Sequence, residues 1–483
     1  MSPRPLRTLA LALSVACAEL RYDPLRAALI AVRLLPARVR RSLRPLERAL
    51  AARAHPTGPS AEPSPARVPA PRGRRILPVP GRVLHLVTDG LPYRRAGHTL
   101  RTQALARAQS AAGLDPHVVT RIGFPVTQGV FDARPLHLLD GVPQHRLLPR
   151  RLPYGSGPLL ARNAELAGRL VERLRPSVLH ASGDHGNGRV ALALRATYGV
   201  PVVYEVHGFP EESWLAQAPG RTGSDEGYAA RLELESYCMR EADAVLTLGE
   251  ALKAEIVARG VPEEKVRIVP VAVDPVLLEP RPDSSALRTR LGIGPEEYVV
   301  GTVSDLTRSE GLGTLLEAGV ELRRRGVPLR LLLGGDGPEL RPLQALADRL
   351  GLTDGTALFT GRVPHEEVRA YHTALDVFAL PRTDERLCRL VPSHELVEAM
   401  ANGLPVAVSD LSAMRELVES GVNGRLIPPG SSPAWADALE MLFHSPERRV
   451  AWGSAARAGV ARERTWARVA ATTRGTYHAL GCL

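Results

Sequence analysis

The sequence predicts an α/β protein with two domains, each built on a parallel sheet that carries helices on both faces. Three observations lead to this prediction. The chain has 483 residues, which is more than one hydrophobic core usually holds. Short β-rich runs alternate with helical stretches from residue 82 to residue 270, and such alternation is typical of a parallel sheet. The alternation pauses over residues 274–296 and then restarts, which indicates a second domain of the same kind.

Six predicted strands lie in each half of the chain. Those of the first half are RVLHLV (82–87), PHVVT (116–120), SVLHA (177–181), PVVYEV (201–206), AVLTLG (244–249) and VRIVP (266–270). Those of the second half are YVVGTVS (298–304), RLLLGG (330–335), ALFTG (357–361), DVFALP (376–381), PVAVSD (405–410) and GRLIPP (424–429). Ligands of open parallel sheets bind outside the carboxyl ends of the strands, and two such sheets facing each other enclose a cleft. We therefore expect functional residues at strand ends, in an interdomain cleft.

The net charge of +11 is concentrated near the N-terminus. Residues 1–80 hold 15 of the 62 basic residues and 4 of the 51 acidic ones, so the rest of the chain is balanced. A balanced body of this kind is not expected to bind nucleic acid. Cys17, Cys238, Cys388 and Cys482 are far apart, which argues against a disulfide framework or a zinc site and favours a cytoplasmic protein.

The N-terminal extension, residues 1–80, carries a separate prediction. Residues 24–53 mix Leu, Ile and Val with Arg at roughly helical spacing, and this pattern suits a basic amphipathic surface that lies on anionic lipid. We expect peripheral membrane association through residues 1–55, at the inner face of the cell membrane. Pro36 and Pro45 interrupt the pattern, so the alternative is an extension that is solvated or docked on the core.

Polar residues follow two predicted strands of the first domain. Gly97 and His98 open a helix after the first strand, where a glycine beside free helix amides would let a diphosphate or a sugar approach the backbone. An ordinary tight turn explains a single glycine equally well. His207 and Glu211 follow PVVYEV. A histidine there would position or deprotonate an acceptor hydroxyl, or else bond a loop carbonyl in a purely structural role.

Glycines and arginines follow the strands of the second domain. Gly335 belongs to a glycine turn that could line a nucleotide, although most such turns are connectors. Arg382 comes directly after DVFALP, and Arg386 and Arg389 are close to it in sequence. Arginines that converge on a cleft pair with phosphate oxygens, whereas each of them alone would be a surface charge.

The order of these features resembles family four of the retaining glycosyltransferases, which adopt the GT-B fold of two Rossmann-like domains. The resemblance covers roughly residues 82–480. Its anchors are FTGRVPHEEVRAYHTALDVFALPR, VEAMANGLPVAVSD, GVNGRLIPPG and the hinge VRIVPVAVDPVLLEP. The segments AGHTLRTQAL, YEVHGF and SEGLGTLL resemble a particular branch of that family.

The resemblance implies a domain order and an activity. The parts would be a basic extension with a Pro-rich linker (1–80), an acceptor domain (81–280), a nucleotide-sugar domain (281–465) and a C-terminal helix that returns to the first domain (466–483). A sugar would pass with retention from a UDP- or GDP-sugar to the hydroxyl of a glycan, a lipid-linked acceptor or a small molecule, without a metal or other cofactor. Such transfer belongs to the synthesis of cell-surface polysaccharides, glycolipids or glycoconjugates.

The resemblance also assigns roles to residues. Glu398 matches the carboxylate that accepts the ribose hydroxyls of the donor, because an ionised carboxylate offers only acceptors to a vicinal diol. The expected donor site comprises Gly97, Gly335, Gly361, Val363, Arg389 and Glu398. The expected acceptor site contains His98 and Glu211, and the expected catalytic residues are His207, Arg382 and Arg386.

Four positions depart from the family pattern. Leu390 stands where a second glutamate is usual, Asp305 and Glu310 stand where an arginine and a lysine hold the diphosphate, and Glu395 stands where the branch carries a lysine. Acids at these positions would repel phosphate, so other cations must stabilise the leaving diphosphate. Two alternatives follow. The protein would be a catalytically silent scaffold or regulatory partner of an active transferase, or a GT-B epimerase that acts on the nucleotide sugar itself.

Overall fold

The computed structural model describes residues 67–483 apart from 133, 154 and 217–220, together with residues 28, 31, 32 and 43–46. The expected lipid-binding surface, residues 1–55, therefore lies almost wholly outside the described residues. Within the described part of the chain, no helix combines the length and the apolar character needed to span a membrane.

The chain forms two compact units. The first unit consists of Met1–Thr247, Ile256–Arg267 and Ala470–Leu483, and the second consists of Leu248–Glu255 and Ile268–Val469. The final segment of the chain thus belongs to the first unit.

The first unit contains an eight-stranded sheet in the order β3-β4-β2-β1-β5-β6-β7-β8. Its strands are β1 (Val79–Val87), β2 (Asp115–Thr120), β3 (Leu136–Leu139), β4 (Val142–Arg146), β5 (Pro176–Ser182), β6 (Val202–Val206), β7 (Ala244–Thr247) and β8 (Val266–Ile268). Every residue of β5, β6 and β7 is buried, as expected for parallel strands covered on both faces. The edge strand β3 runs antiparallel to β4.

The second unit contains a six-stranded sheet in the order β11-β10-β9-β12-β13-β14, and all its strand pairs are parallel. Its strands are β9 (Tyr298–Val303), β10 (Leu329–Gly334), β11 (Ala357–Gly361), β12 (Val377–Leu380), β13 (Val406–Ser409) and β14 (Gly424–Ile427). Leu331 and Leu333 of β10 pack in one core with Trp435. The predicted α/β architecture is confirmed in both units.

Helices connect the strands of both sheets. They are α1 (Gly97–Ala111), α2 (Ser156–Leu174), α3 (His185–Tyr198), α4 (Pro210–Ala216), α5 (Glu226–Glu241), α6 (Glu250–Ala258), α7 (Ser285–Arg290), α8 (Leu312–Arg324), α9 (Leu340–Arg349), α10 (Val368–Ala374), α11 (Arg386–Leu390), α12 (His394–Ala401), α13 (Ser412–Arg415), α14 (Ser432–Phe443), α15 (Pro446–Glu463) and α16 (Trp466–Ala479). Short 3-10 helices cover Val126–Gln128, Glu263–Lys265, Pro275–Leu278, Arg308–Glu310 and His365–Glu367.

Each sheet has one point at which the strand order reverses. In the first unit the chain passes from β1 to β2 on one side and later places β5 on the other side of β1. In the second unit it passes from β9 to β10 and later places β12 on the other side of β9. Ligands of open α/β sheets bind outside the carboxyl ends of the strands at such a reversal. The loops after β1, β9 and β12 are therefore the first places to look for a site.

Candidate active site

A histidine and a buried aspartate meet after β1 in the first unit. His98 lies in the first turn of α1, and its Nε2 is 2.6 Å from Oδ1 of Asp89. The other carboxylate oxygen of Asp89 is 3.0 Å from Nε of Arg94. Asp89 is buried, whereas 41% of the His98 side chain is exposed. The aspartate therefore orients a partly exposed histidine, and the acceptor-binding role of His98 stays a prediction.

A second histidine and carboxylate pair follows β6. His207 places Nε2 3.1 Å from Oε1 of Glu205, and the same oxygen accepts from Nε of Arg101 at 2.8 Å. Burial lowers the pKa of His207 below its ordinary value, and nearby His98 adds to the lowering because two protonated rings repel each other. The first unit thus brings together the predicted residues His98 and His207.

The start of α1 is open, as expected for a place that a ligand approaches. A Cβ on Gly97 would meet no atom within 4 Å, so packing among the described residues does not require glycine there. Ala96, the N-cap residue, offers no side-chain oxygen to the helix. A glycine and free helix amides suit an anionic or polyhydroxylated ligand.

Glu211 has a structural role in this fold. Its side chain is fully buried, and Oε1 is 2.6 Å from Nη1 of Arg259. The guanidinium of Arg259 also lies 3.7 Å from the centroid of the Phe209 ring. A carboxylate enclosed in this way has no surface to offer an acceptor, so the structure gives no support to the acceptor-binding role expected of Glu211.

In the second unit, a buried ion pair occupies the point where the strand order reverses. Arg382 follows β12, and its Nη2 is 3.2 Å from Oε1 of Glu310, which follows β9. The loops also join through their backbones, since the Thr383 amide donates to the Ser309 carbonyl at 3.0 Å. Burial raises the pKa of Glu310 although Arg382 opposes the shift. Glu310 therefore already neutralises part of the positive charge that Arg382 could offer to a diphosphate.

Glu395 adds a second carboxylate near Arg382. Ser393, the N-cap residue of α12, accepts from the Leu396 amide and donates to Oε2 of Glu395 at 2.7 Å. Burial opposes ionisation of Glu395, but Arg382 and the Ser393 hydroxyl together lower its pKa. The charge of Glu395 in turn contributes to raising the pKa of Asp305, which follows β9. Of the departing positions, Glu310 and Glu395 therefore surround Arg382, and Asp305 lies close to both carboxylates.

Glu398 lies one turn after Glu395 on α12, on the same side of the helix. The neighbouring Ala399, Met400 and Ala401 are buried, so the helix packs through its small residues while the Glu398 side chain stays partly accessible. Within the part of the chain that the structure describes, the Glu398 carboxylate has no hydrogen-bond or ion-pair partner. Burial, with a smaller contribution from Glu395, raises the pKa of Glu398 to about 8. The ligand-free carboxyl is therefore protonated at neutral pH, and a diol that donates two hydrogen bonds to it would favour its ionised, acceptor-only form.

The other predicted donor residues differ in what surrounds them. Gly335 has φ +144°, and a Cβ there would lie 1.9 Å from the Ser304 carbonyl oxygen, so the loop after β10 needs glycine for its own packing. Gly361 has φ +68° with open space around its Cβ position. Its carbonyl accepts from the Gly335 amide at 2.9 Å, and Val363 follows two residues later. These residues therefore share one loop pair at the carboxyl edge of the second sheet.

Arg386 and Arg389 lie at the surface of the second unit. Arg386 contacts Glu255 and is 47% exposed, and Arg389 contacts Asp384 and is 50% exposed. Neither is held in a fixed position by burial, in contrast to Arg382.

Sequence reasoning missed Asp89, although its place shortly after the first strand was a usable signal.

Two family models match the chain in succession. Residues 96–272 match the glycosyl transferase 4-like domain, and residues 283–459 match the glycosyl transferases group 1. Both models describe glycosyl transferases and together they cover more than half of the chain, which therefore belongs to the glycosyl transferases. This membership agrees with the family that the sequence motifs indicated.

Curated relatives of this glycosyl transferase act on varied molecules, as their names state. Alpha-D-kanosaminyltransferase of Streptomyces kanamyceticus is 28% identical over 58% of this chain and 72% of its own length. The 2-deoxystreptamine glucosyltransferase of the same organism is 31% identical over 44% of this chain and 54% of its own length. D-inositol 3-phosphate glycosyltransferase of Segniliparus rotundus is 28% identical over 60% of this chain and 64% of its own length. The match to the last two therefore spans less than two thirds of those relatives.

Solved structures show the same fold as this glycosyl transferase. Sucrose-phosphate synthase from Thermosynechococcus elongatus gives a TM-score of 0.66 at 21% identity and covers 83% of this chain and 99% of its own. Anabaena HepE in complex with UDP gives 0.66 at 20% identity and covers 82% of this chain and all of its own. The predicted GT-B class is confirmed by these neighbours.

Proposed function

We propose that this glycosyl transferase moves a sugar from a nucleotide diphosphate donor to an acceptor hydroxyl with retention. The observation that carries the proposal is the Glu398 carboxylate, which is partly buried, has no partner among the described residues and lies on α12. A vicinal diol presents two O–H donors, which a carboxylate accepts in a bidentate manner. The nucleoside ribose of the donor would supply that diol, and the second unit would bind the donor.

The first unit would bind the acceptor. His98 and His207 both face carboxylates through Nε2, so the other ring nitrogen of each is available to an acceptor hydroxyl. In the proposed step the bond between the anomeric carbon and the diphosphate oxygen breaks, and the acceptor oxygen bonds to that carbon on the same face. The hydroxyl proton passes to Nδ1 of His207. Arg382 would stabilise the departing diphosphate.

The acidic surroundings of Arg382 favour a second candidate function, a scaffold that binds a nucleotide sugar without transferring it. Arg382 is in contact with Glu310 and close to Glu395. A leaving diphosphate gains less from an arginine that carboxylates already neutralise. Under this alternative, Glu398 would still bind the ribose and the protein would regulate an active transferase.

One experiment separates these functions. The purified full chain is screened for thermal stabilisation by UDP-glucose, UDP-N-acetylglucosamine and GDP-mannose, because a ligand at a hundredfold excess over its Kd adds about 2.7 kcal/mol to the free energy of unfolding. Stabilising donors are then used in radiolabelled form with inositol 3-phosphate and 2-deoxystreptamine, two acceptors that the names of the relatives provide. Transfer to an acceptor that persists in EDTA is the expected result. Binding without transfer would favour the scaffold, and a new free nucleotide sugar formed without acceptor would favour an epimerase.

We also propose that the basic extension holds this transferase at the inner face of the cell membrane. Residues 1–80 carry an excess of 11 positive charges, and each basic residue near an anionic surface contributes about 1 kcal/mol. Deletion of residues 1–55 is expected to move the protein from the membrane pellet to the supernatant in a fractionated cell lysate. The same distribution before and after deletion would contradict the proposal.

A further inference from the structure

A row of buried polar side chains leads from the last helix to His207 in the first unit. We call it the Tyr477 relay, and it consists of Gln109, Tyr477, His180 and Glu205. Gln109, Tyr477 and His180 are fully buried, and Glu205 is 3% exposed. Tyr477 lies on α16, and it contacts His180 of β5 across 297 positions of sequence. Burial of a row of polar side chains destabilises the fold unless every group has a hydrogen-bond partner. The pattern of hydrogen bonds within this row is therefore informative.

The hydrogen bonds around Gln109 fix the orientation of its amide. Thr473 donates its hydroxyl to the Ala470 carbonyl at 3.0 Å, so its oxygen is left to accept from Nε2 of Gln109 at 3.3 Å. The same Nε2 donates to the Tyr477 oxygen at 2.9 Å. Oε1 of Gln109 then accepts from Nε2 of His85 at 2.7 Å. Burial, with a contribution from His180, lowers the pKa of His85 to about 3, so the His85 ring is neutral and donates through this nitrogen.

The proton positions of the remaining members follow from that orientation. Because the Tyr477 oxygen accepts from Gln109, its own O–H is free to donate to Nδ1 of His180, which is 2.6 Å away. A ring that accepts at Nδ1 carries its proton on Nε2. Nε2 of His180 lies 3.0 Å from Oε2 of Glu205. All donors of the row therefore point the same way, toward Glu205.

The carboxylate of Glu205 also faces the His207 ring. Burial has the largest single effect and opposes ionisation of the carboxylate, but Arg101, His207 and His180 together hold the pKa of Glu205 well below its ordinary value. The ionised carboxylate only accepts, so Nε2 of His207, 3.1 Å from Oε1, must carry a proton. The contacts of His180 and His207 with Glu205 have ion-pair length and bent N–H geometry. Nδ1 of His207 is then left with its lone pair.

We infer that Tyr477 and Gln109 are positioning residues that hold His180 in the Nε2–H tautomer, with its N–H turned toward Glu205, the carboxylate that faces His207. The consequence for catalysis rests on the proposed function, since the lone pair on Nδ1 of His207 would take the acceptor proton. The tautomer of His180 does not rest on it. A segment more than 200 residues distant in sequence would thus help to hold the carboxylate that orients the acceptor-site histidine.

The test uses the full chain with ¹⁵N-labelled histidine rings, whose nitrogen shifts distinguish the two tautomers. The signals of His207 and His180 are assigned by their loss in His207→Gln and His180→Gln. We expect the Nε2–H tautomer for both rings in the parent chain. Tyr477→Phe removes the donor to His180 and should shift the His180 ring toward a mixture of tautomers, while the ionised Glu205 keeps His207 in its Nε2–H form. Gln109→Leu, which deprives the Tyr477 oxygen of its donor, gives a second variant should the first fail to fold.

Tyr298→Phe is the matched control. Tyr298 is also buried and donates one hydrogen bond, to the Leu439 carbonyl at 3.2 Å in the second unit, so its loss costs comparable stability without touching the relay. This control should leave the histidine signals unchanged. The inference is overturned if His180 carries its proton on Nδ1 in the parent chain, or if Tyr477→Phe and Gln109→Leu leave the His180 ring as it was.

Kinetic measurements distinguish a failure of the relay inference from a failure of the proposed function. If transfer is found, Tyr477→Phe should lower kcat about tenfold at an unchanged donor KM, because a misplaced base weakens the transition state and leaves donor binding alone. The same change in a His207→Ala background should have no further effect. If the tautomers are as expected and no donor supports transfer, the relay stands and the proposed function fails.

Discussion

Glu398→Gln is expected to abolish the thermal stabilisation of the protein by nucleotide sugars while it increases the stability of the ligand-free protein. An amide presents a single acceptor oxygen beside an N–H₂ donor, so it cannot accept the two hydroxyls of a diol on two separate oxygens as a carboxylate does. The loss should therefore be seen with every donor that stabilises the parent chain, whatever its sugar. The measurement is a thermal shift with and without donor.

The gain in stability follows from the raised pKa of Glu398. The folded carboxyl keeps its proton up to about pH 8, whereas the unfolded chain releases it near 4.5. Between these values the unfolded state binds fewer protons, so the carboxyl destabilises the folded protein increasingly as pH rises. Glutamine cannot ionise. The variant should therefore match the parent chain near pH 4.5 and exceed it by about 1–3 kcal/mol at pH 7.

Glu317→Gln is the control for this prediction. Glu317 is exposed on α8, so its replacement should change neither the stability nor the response to donors. An unchanged donor response in Glu398→Gln would contradict the role of the carboxylate in ribose binding. A variant that is no more stable than the parent at pH 8 would instead contradict the raised pKa.

The strands of this protein could be predicted from the sequence because parallel strands covered on both faces are short runs of apolar residues. All twelve predicted strands form, each within a few residues of its predicted ends. The hairpin of β3 and β4 was missed because its run, LHLLDGVPQHR, mixes apolar and polar residues. Asp140 and Gly141 at its centre have φ +48° and +81°, the left-handed pair of a two-residue hairpin turn. The Asp-Gly pair was a signal that sequence reasoning could have used.

The candidate site could be predicted only in part, because pairing between distant residues is a tertiary property. The motif around Glu398 is local, and resemblance sufficed to select it. That Arg382 pairs with Glu310, and Glu211 with Arg259, depends on loops separated by dozens of residues. Sequence reasoning could assign charge to such positions but not a partner. The Tyr477 relay depends in the same way on the return of α16 to the first unit.

Arg382→Leu is expected to lower the free energy of unfolding by about 3–5 kcal/mol at pH 8 and to abolish transfer. Removal of one partner of a buried ion pair leaves the other charge without compensation, and here both Glu310 and Glu395 lose their cation. The pKa values of these two carboxyls should rise in the variant. Its deficit in stability should therefore be small at pH 5, where they can take up protons, and grow toward pH 8. Urea unfolding at the two pH values measures this, and a deficit independent of pH would contradict the role of Arg382 as their counter-ion.

Arg389→Leu is the matched control for the loss of stability in Arg382→Leu. A second variant, Glu310→Gln, tests whether Arg382 contacts the donor or only holds the loops together. Arg389 pairs with Asp384 at the surface, so its loss should cost no more than about 1 kcal/mol. Glu310→Gln leaves Arg382 in place with less of its charge neutralised. If Arg382 contacts the diphosphate, this change should strengthen donor binding, because the electrostatic attraction of the phosphate oxygens for the guanidinium is no longer opposed by a neighbouring carboxylate. If Arg382 serves only to hold the loops after β9 and β12 together, Glu310→Gln should lower the free energy of unfolding and leave the affinity for the donor unchanged.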